Sequence, residues 1–281
     1  MDGQSDQITT SLLCEKGDPR DSFRWDEGTP DYVSELGLQP GHIPTLISIA
    51  RKWADNGERS EDEWSAPIHA WRSLGQLRAE EAVEPLLDMQ NQLDELGDDW
   101  YLEEFHKVFG LIGRPAIAAL SKYLTNHDNG EFPRISTASG LCQIAKWHPE
   151  TRDQVVEVLA TQLAEHEVEV YSLNGFLVGH LADLQAVESS EVIERAFAAG
   201  VVDETVAGDW TTIRKELGVP GLGLVPNRPP PRRPHYGTAR SLVDPVRVDL
   251  LDRDRQRQSD KKAKAKRKQQ KQSRKRNRKR R

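Results

Sequence analysis

Cysteine is scarce: Cys14 and Cys142 are the only two in 281 residues. That is too few for a disulfide framework or a cysteine-based zinc site. Two incidental thiols fit a reduced compartment. Long apolar runs are missing too. No stretch approaches the roughly 20 apolar residues that span a bilayer, so no membrane span is expected. No basic-then-apolar leader opens the chain, and the expected location is cytoplasmic. Period-two alternation of useful length is lacking through the middle of the chain, which argues against a sheet fold.

Enzyme signatures are equally sparse. The sequence holds no Gly-x-Ser-x-Gly and no phosphate-binding Gly-Lys-Ser or Gly-Lys-Thr. Its eight histidines are dispersed, with no His-Glu-x-x-His. Gly221-Leu222-Gly223 is half of a dinucleotide fingerprint, but no strand precedes it and prolines follow. Cys142 and His148 are six residues apart, which puts them on different faces of one helix, so packing is the better reading than metal binding. No catalytic, metal-binding or cofactor-binding residue is assigned. A non-enzyme with no small-molecule ligand is the expectation.

What the sequence does hold is charge, at 30% of residues against 36% hydrophobic. The formal net charge of −6 conceals an asymmetry. Of the 39 basic residues, 14 fall in 261–281, which contains no acid. The other 260 residues keep 25 basic against all 45 acidic residues, a net of −20. The chain is an acidic body carrying a basic end.

Four segments follow in order. Residues 1–28 are polar apart from a short apolar run and are expected to be disordered or loosely docked. Residues 29–218 carry helical periodicity. A short helix is expected at 30–37 and another at 42–53, where Ile43, Leu46, Ile47 and Ala50 share one face. Residues 219–260 hold a proline-containing linker. Residues 261–281 form a polybasic tail expected to be disordered.

Within 64–217 a unit recurs. Leu74-Gly75-Gln76-Leu77, Phe109-Gly110-Leu111-Ile112, Leu141-Cys142-Gln143-Ile144 and Val178-Gly179-His180-Leu181 are each large, small, variable, large. Each is followed within a few residues by a helix start, twice with a proline, at Pro115 and Pro149. The apolar stripes after these starts are Val83, Leu86, Leu87 and Leu93; Ile117, Leu120 and Leu124; Val155, Leu159 and Leu163; and Ile193, Ala196 and Phe197. The pattern predicts helical hairpins, with the small residue letting the second helix cross the first closely. One hairpin cannot bury both faces, so such units stack. Asp209 and Gly218 are set to start and stop a last helix.

The fold class expected is an all-α, HEAT-like α-solenoid. The array resembles HEAT-like repeats in the short-period form also seen in phycobilisome-lyase-type repeats. More narrowly, the run from Ala66-Pro67-Ile68-His69-Ala70-Trp71 to Leu87 resembles a bacterial domain family of unknown function. The hairpin over 135–163 and the close from Gly208-Asp209-Trp210 to Glu216-Leu217-Gly218 fit that family too. Some of its members end in a cysteine-rich zinc motif associated with the SecA C-terminus. This chain has no cysteine beyond Cys142, so the partner binding which that motif implies does not carry over.

Two features stand out as interaction candidates. The first is an acidic face: Glu80, Glu81, Glu84 and Asp88 around the start of one second helix, followed by Asp98, Asp99 and Trp100. Its functional reading is a surface that selects a basic protein partner. The alternatives are a solubilising exterior, an N-cap of the next helix for Asp98 or Asp99 and, for Trp100, a staple between repeats. The second is the tail: Lys261, Lys262, Lys264, Lys266, Arg267, Lys268, Lys271, Arg274, Lys275, Arg276, Arg278, Lys279, Arg280 and Arg281. With no apolar residue larger than alanine, it suits sequence-independent attachment to RNA, including the ribosome. An anionic membrane surface or the chain's own acidic body are other possible targets. The leading expectation is an interaction scaffold. The runner-up is a lyase- or chaperone-like repeat protein that cradles a small molecule or client.

Overall fold

The computed structural model describes residues 10–22, 29–56, 63–165 and 167–219. The polybasic tail and all of the expected linker beyond Val219 lie outside the described residues. Every regular element among the described residues is helical, and none is a strand.

Twelve helices are numbered in chain order: α1 Tyr32–Leu36, α2 Ile43–Asn56, α3 Ala66–Gln76, α4 Val83–Glu95, α5 Trp100–Ile112, α6 Ile117–Thr125, α7 Glu131–Trp147, α8 Arg152–Ala164, α9 Tyr171–Asp183, α10 Ser190–Ala199, α11 Glu204–Ala207 and α12 Trp210–Glu216. Four hairpins result: α3–α4, α5–α6, α7–α8 and α9–α10. Each second helix opens with a 3₁₀ turn, at Glu80–Ala82, Arg114–Ala116, Pro149–Thr151 and Val187–Ser189. These are the helix starts expected from the sequence. A proline in the first turn removes only an N–H that has no intrahelical partner.

Chain turns between the paired helices have a physical basis. Arg78 and Gln185 both adopt a left-handed φ of 52°. They occupy matching places in the first and fourth hairpins, where the next N–H returns to a leucine carbonyl, Ala79 to Leu74 and Ala186 to Leu181. In the second hairpin Gly113 takes the positive φ, at 80°. Elsewhere short polar side chains set the helix starts. Asp31 Oδ1 accepts from Ser34 N–H at 3.0 Å, and Asp209 Oδ1 from Thr212 N–H at 2.8 Å.

First helices pack on first helices: α3 on α5, α5 on α7, and α7 on α9. Second helices do the same, α4 with α6, α6 with α8 and α8 with α10, and α2 packs on both helices of the first hairpin. The core lies between the two rows. The expected stripes fill it: Val83, Leu86, Leu87, Leu93, Ile117, Leu120, Leu124, Val155, Leu159, Leu163, Ile193 and Ala196 are all buried, and Phe197, the last of them, is half-buried against it.

The small residues of the repeat serve a different contact from the one expected. A Cβ on Gly75 would lie 3.2 Å from Val108 Cα and 3.2 Å from Leu111 Cδ1, both on α5. A Cβ on Gly110 would lie 2.7 Å from Gln143 Cγ and from Trp147 Cε3, both on α7. The close approach is therefore between first helices of successive hairpins, not between the two helices of one hairpin. Gly179 ends the series: a Cβ there would meet no heavy atom within 4 Å.

Residues 10–22, expected to be loosely docked at most, are anchored. Leu13 and Thr10 are buried, and Arg20 lies over the Trp64 ring at 5.4 Å. His69 and Arg72 hold the Gly17 and Pro19 carbonyls at 3.1 Å each. A few apolar and carbonyl anchors fix a segment whose overall composition is polar.

Candidate functional site

The acidic face is partly as expected. Glu80, Glu81, Glu84 and Asp88 are exposed along the turn before α4 and on α4 itself. Their spacing puts Glu80, Glu84 and Asp88 on one side of the helix. None of the four is ion-paired with another described residue. Asp99 is also exposed. Asp98 is not: it is buried at 4% exposure, and its Oδ1 accepts the N–H of Trp100, the first residue of α5, at 2.8 Å. Trp100 is half-buried with its ring 6.3 Å from that of Trp64. Trp100 thus ties the start of the second hairpin to Trp64 just before the first, Asp98 is buried, and the exposed acidic face reduces to Glu80, Glu81, Glu84, Asp88 and Asp99. The fourteen basic residues of the tail lie outside the described residues.

Three polar clusters were not evident from the sequence. The first ties α1, α3 and α5 together in the interior. Arg72 donates from Nε to Glu104 Oε2 at 2.9 Å and from Nη2 to Glu104 Oε1 at 2.7 Å, and neither side chain is exposed. His69 Nε2 faces the Gly17 carbonyl, so it carries the proton, and Nδ1 accepts from the Tyr32 hydroxyl at 2.7 Å. Burial pulls the His69 imidazole down to about 4 and pushes the Tyr32 phenol up. Burial also works against the Arg72 charge, but Glu104 and Tyr32 hold the guanidinium above its ordinary value. Every donor and acceptor named here is committed to structure.

A second cluster closes the third hairpin. Arg134 is buried and donates to both Glu167 oxygens, at 3.1 and 2.6 Å, and to the Leu124 carbonyl at 2.7 Å. Gln162 Nε2 donates to Glu167 at 2.7 Å and to Glu165 at 3.2 Å, and His127 approaches the same carboxylates from the surface. The Arg134 guanidinium holds Glu167 below the usual carboxylate range. Glu167 is already neutralised, so this is a bracing ion pair.

The third cluster runs across α5, α7 and α9. Cys142 is buried, whereas His180 is half-buried and Asp183 exposed. Ligand-type atoms of these three side chains lie within 4.8 Å of one another. Lys146, one turn after Cys142, donates to Asp183 Oδ2 at 2.8 Å, and its ammonium also interacts with Cys142. The Ser139 hydroxyl is 3.0 Å from His180 Nε2. Burial pushes the Cys142 thiol up to about 11 and pulls the His180 imidazole down to about 4. It does the same to the nearby His106, also to about 4. His180 and Asp183 are three apart on one helix, a spacing that puts both on one face. That was the one signal available in the sequence. Cys142 was masked by its part in the small-residue series.

Residues 37–209 match the model of a family described as "Protein of unknown function (DUF1186)". The match runs from the cap that ends α1 to the residue that caps α12. It therefore takes in α2 and all four hairpins, beginning earlier than the repeat pattern at 64. No curated protein and no solved structure matches the chain. Spanning more than half of the sequence, the match shows that this chain belongs to that bacterial family of unknown function.

Proposed function

We propose that the protein is a non-enzymatic interaction scaffold. Its acidic face takes a basic protein partner, and its polybasic end attaches the assembly to RNA without regard to sequence. HEAT-like stacking of the hairpins supplies the rigid support. The observation that carries this reading is the set Glu80, Glu81, Glu84 and Asp88, exposed together on one hairpin with no ion pair to any described residue. Charges so placed create a field that a cationic surface can neutralise. The tail's fourteen basic residues without an acid add counterion release on a phosphate backbone. The setting that goes with this reading is a reduced cytoplasm, in keeping with the free thiols of Cys14 and Cys142. No helix among the described residues is long and apolar enough to cross a membrane.

The test is charge reversal. Poly-lysine is titrated into the full chain and into a Glu80→Lys, Glu84→Lys, Asp88→Lys variant. A control reverses Glu150, Glu157 and Glu191, which are equally exposed but lie elsewhere. The first variant is expected to bind more weakly than both the parent and the control. Equal loss in the two variants would reduce the face to general surface charge and overturn the reading.

A further inference from the structure

The geometry points to a zinc-binding site formed by Cys142, His180 and Asp183, with a fourth position open to water or an incoming ligand. A thiolate, an imidazole and a carboxylate are the donor types zinc takes, and three protein ligands leave one position free. The thiolate selects against magnesium and calcium, which prefer oxygen.

Three observations bear on it besides the identity of the residues. The ligand-type atoms converge from two helices to within 4.8 Å of one another. Tetrahedral zinc requires ligand separations of about 3.3–3.7 Å, given bond lengths near 2.0–2.3 Å. A closure of about 1 Å is therefore needed, which side-chain rotation about Asp183 and His180 can supply. Next, a cation already stands here: the Lys146 ammonium is 2.8 Å from Asp183 Oδ2 and interacts with Cys142. Its side chain is 42% exposed and can swing into solvent when a metal takes its place. Last, the cluster reaches solvent at Asp183, which is exposed. Gly179, one turn before Asp183 on the same face, would have no neighbour within 4 Å of a Cβ.

The binding step balances simply. The buried Cys142 thiol gives its proton to solvent and its sulfur lone pair to the metal, and Asp183 exchanges the Lys146 ammonium for the ion. Ser139, 3.0 Å from His180 Nε2, fixes the orientation of the ring. The site is distinct from the acidic face on the first hairpin, and it holds whether or not that face binds a partner.

Cobalt(II) titration of the untagged, chelator-stripped full chain under reducing conditions tests it. The expected spectrum has a thiolate-to-cobalt charge-transfer band and the visible bands of tetrahedral cobalt, saturating at one equivalent and bleached by zinc. Cys142→Ser removes the charge-transfer band, whereas Cys14→Ser keeps it. Asp183→Asn, at an exposed position that tolerates the change, shifts the visible bands and weakens binding. Ser139→Ala weakens it by about tenfold or more. Lys146→Met, freed of the competing ammonium, binds more tightly. A spectrum of hydrated cobalt only, a charge-transfer band that follows Cys14, or a spectrum unmoved by Asp183→Asn would overturn the proposal.

Discussion

Arg72 and Glu104 form a two-pronged ion pair, at 2.9 and 2.7 Å, in which neither side chain touches solvent. It links the first helices of two successive hairpins and, through the Pro19 carbonyl, the N-terminal segment. Its two charges are worth little as a net gain, because both had to leave water. Their value lies in register: neither helix can slide without stranding a charge.

Removing one partner should therefore cost far more than removing both. Glu104→Ala leaves a buried guanidinium and is expected to destabilise the fold by roughly 3–5 kcal/mol. The double change Arg72→Met, Glu104→Leu is expected to lose less than the single one. Urea midpoints for the three proteins check the order.

The repeat glycines should divide by neighbour. Gly75→Ala puts a methyl 3.2 Å from the α5 backbone at Val108, an overpacking that is expected to cost about 1–3 kcal/mol. Gly179→Ala puts the same methyl into open space within a helix, and is expected to stabilise by up to about 1 kcal/mol. Thermal unfolding of the two variants gives the sign. Equal losses would mean that the small residue serves the turn rather than the packing of first helices.

Stability should fall with pH from near neutrality downward. His69 is held neutral in the fold at about 4 against an ordinary value of 6.5. Between those values the unfolded chain binds a proton that the folded chain refuses. The contribution is thus fully present above pH 6.5 and is lost as pH falls toward 4. For His69 alone the loss from pH 7 to pH 5 is roughly 2 kcal/mol. His106 and His180 act in the same direction. His69→Gln is expected to flatten the slope of urea-derived stability against pH.

Much of the architecture could be seen in the residues before any coordinates. Val83, Leu86 and Leu87 recur at helical spacing because a hairpin must bury a face, and burial writes itself into periodicity. Arg72, Arg134 and Glu104 defeated the same reasoning. Charged side chains are read as exposed by default, and only the fold shows which one meets its counterpart. Asp98 was expected either to start α5 or to face a partner, and the sequence does not tell a buried aspartate beside a helix start from an exposed one. Cys142 lies some forty positions from His180 and Asp183, and their meeting depends on how α7 packs on α9. Periodicity could not supply that. Gly75 was legible as a close contact, but the helix that it contacts was not.

The scaffold reading rests on two electrostatic objects with separate partners, and the tail is the simpler to isolate. Fluorescence anisotropy of labelled polyuridine RNA is measured with the full chain and with a chain ended after Asp260, over a range of salt. The full chain is expected to bind with an affinity that falls steeply as salt rises, and the shortened chain is expected not to bind. Equal binding by the two chains, or an affinity indifferent to salt, would contradict it.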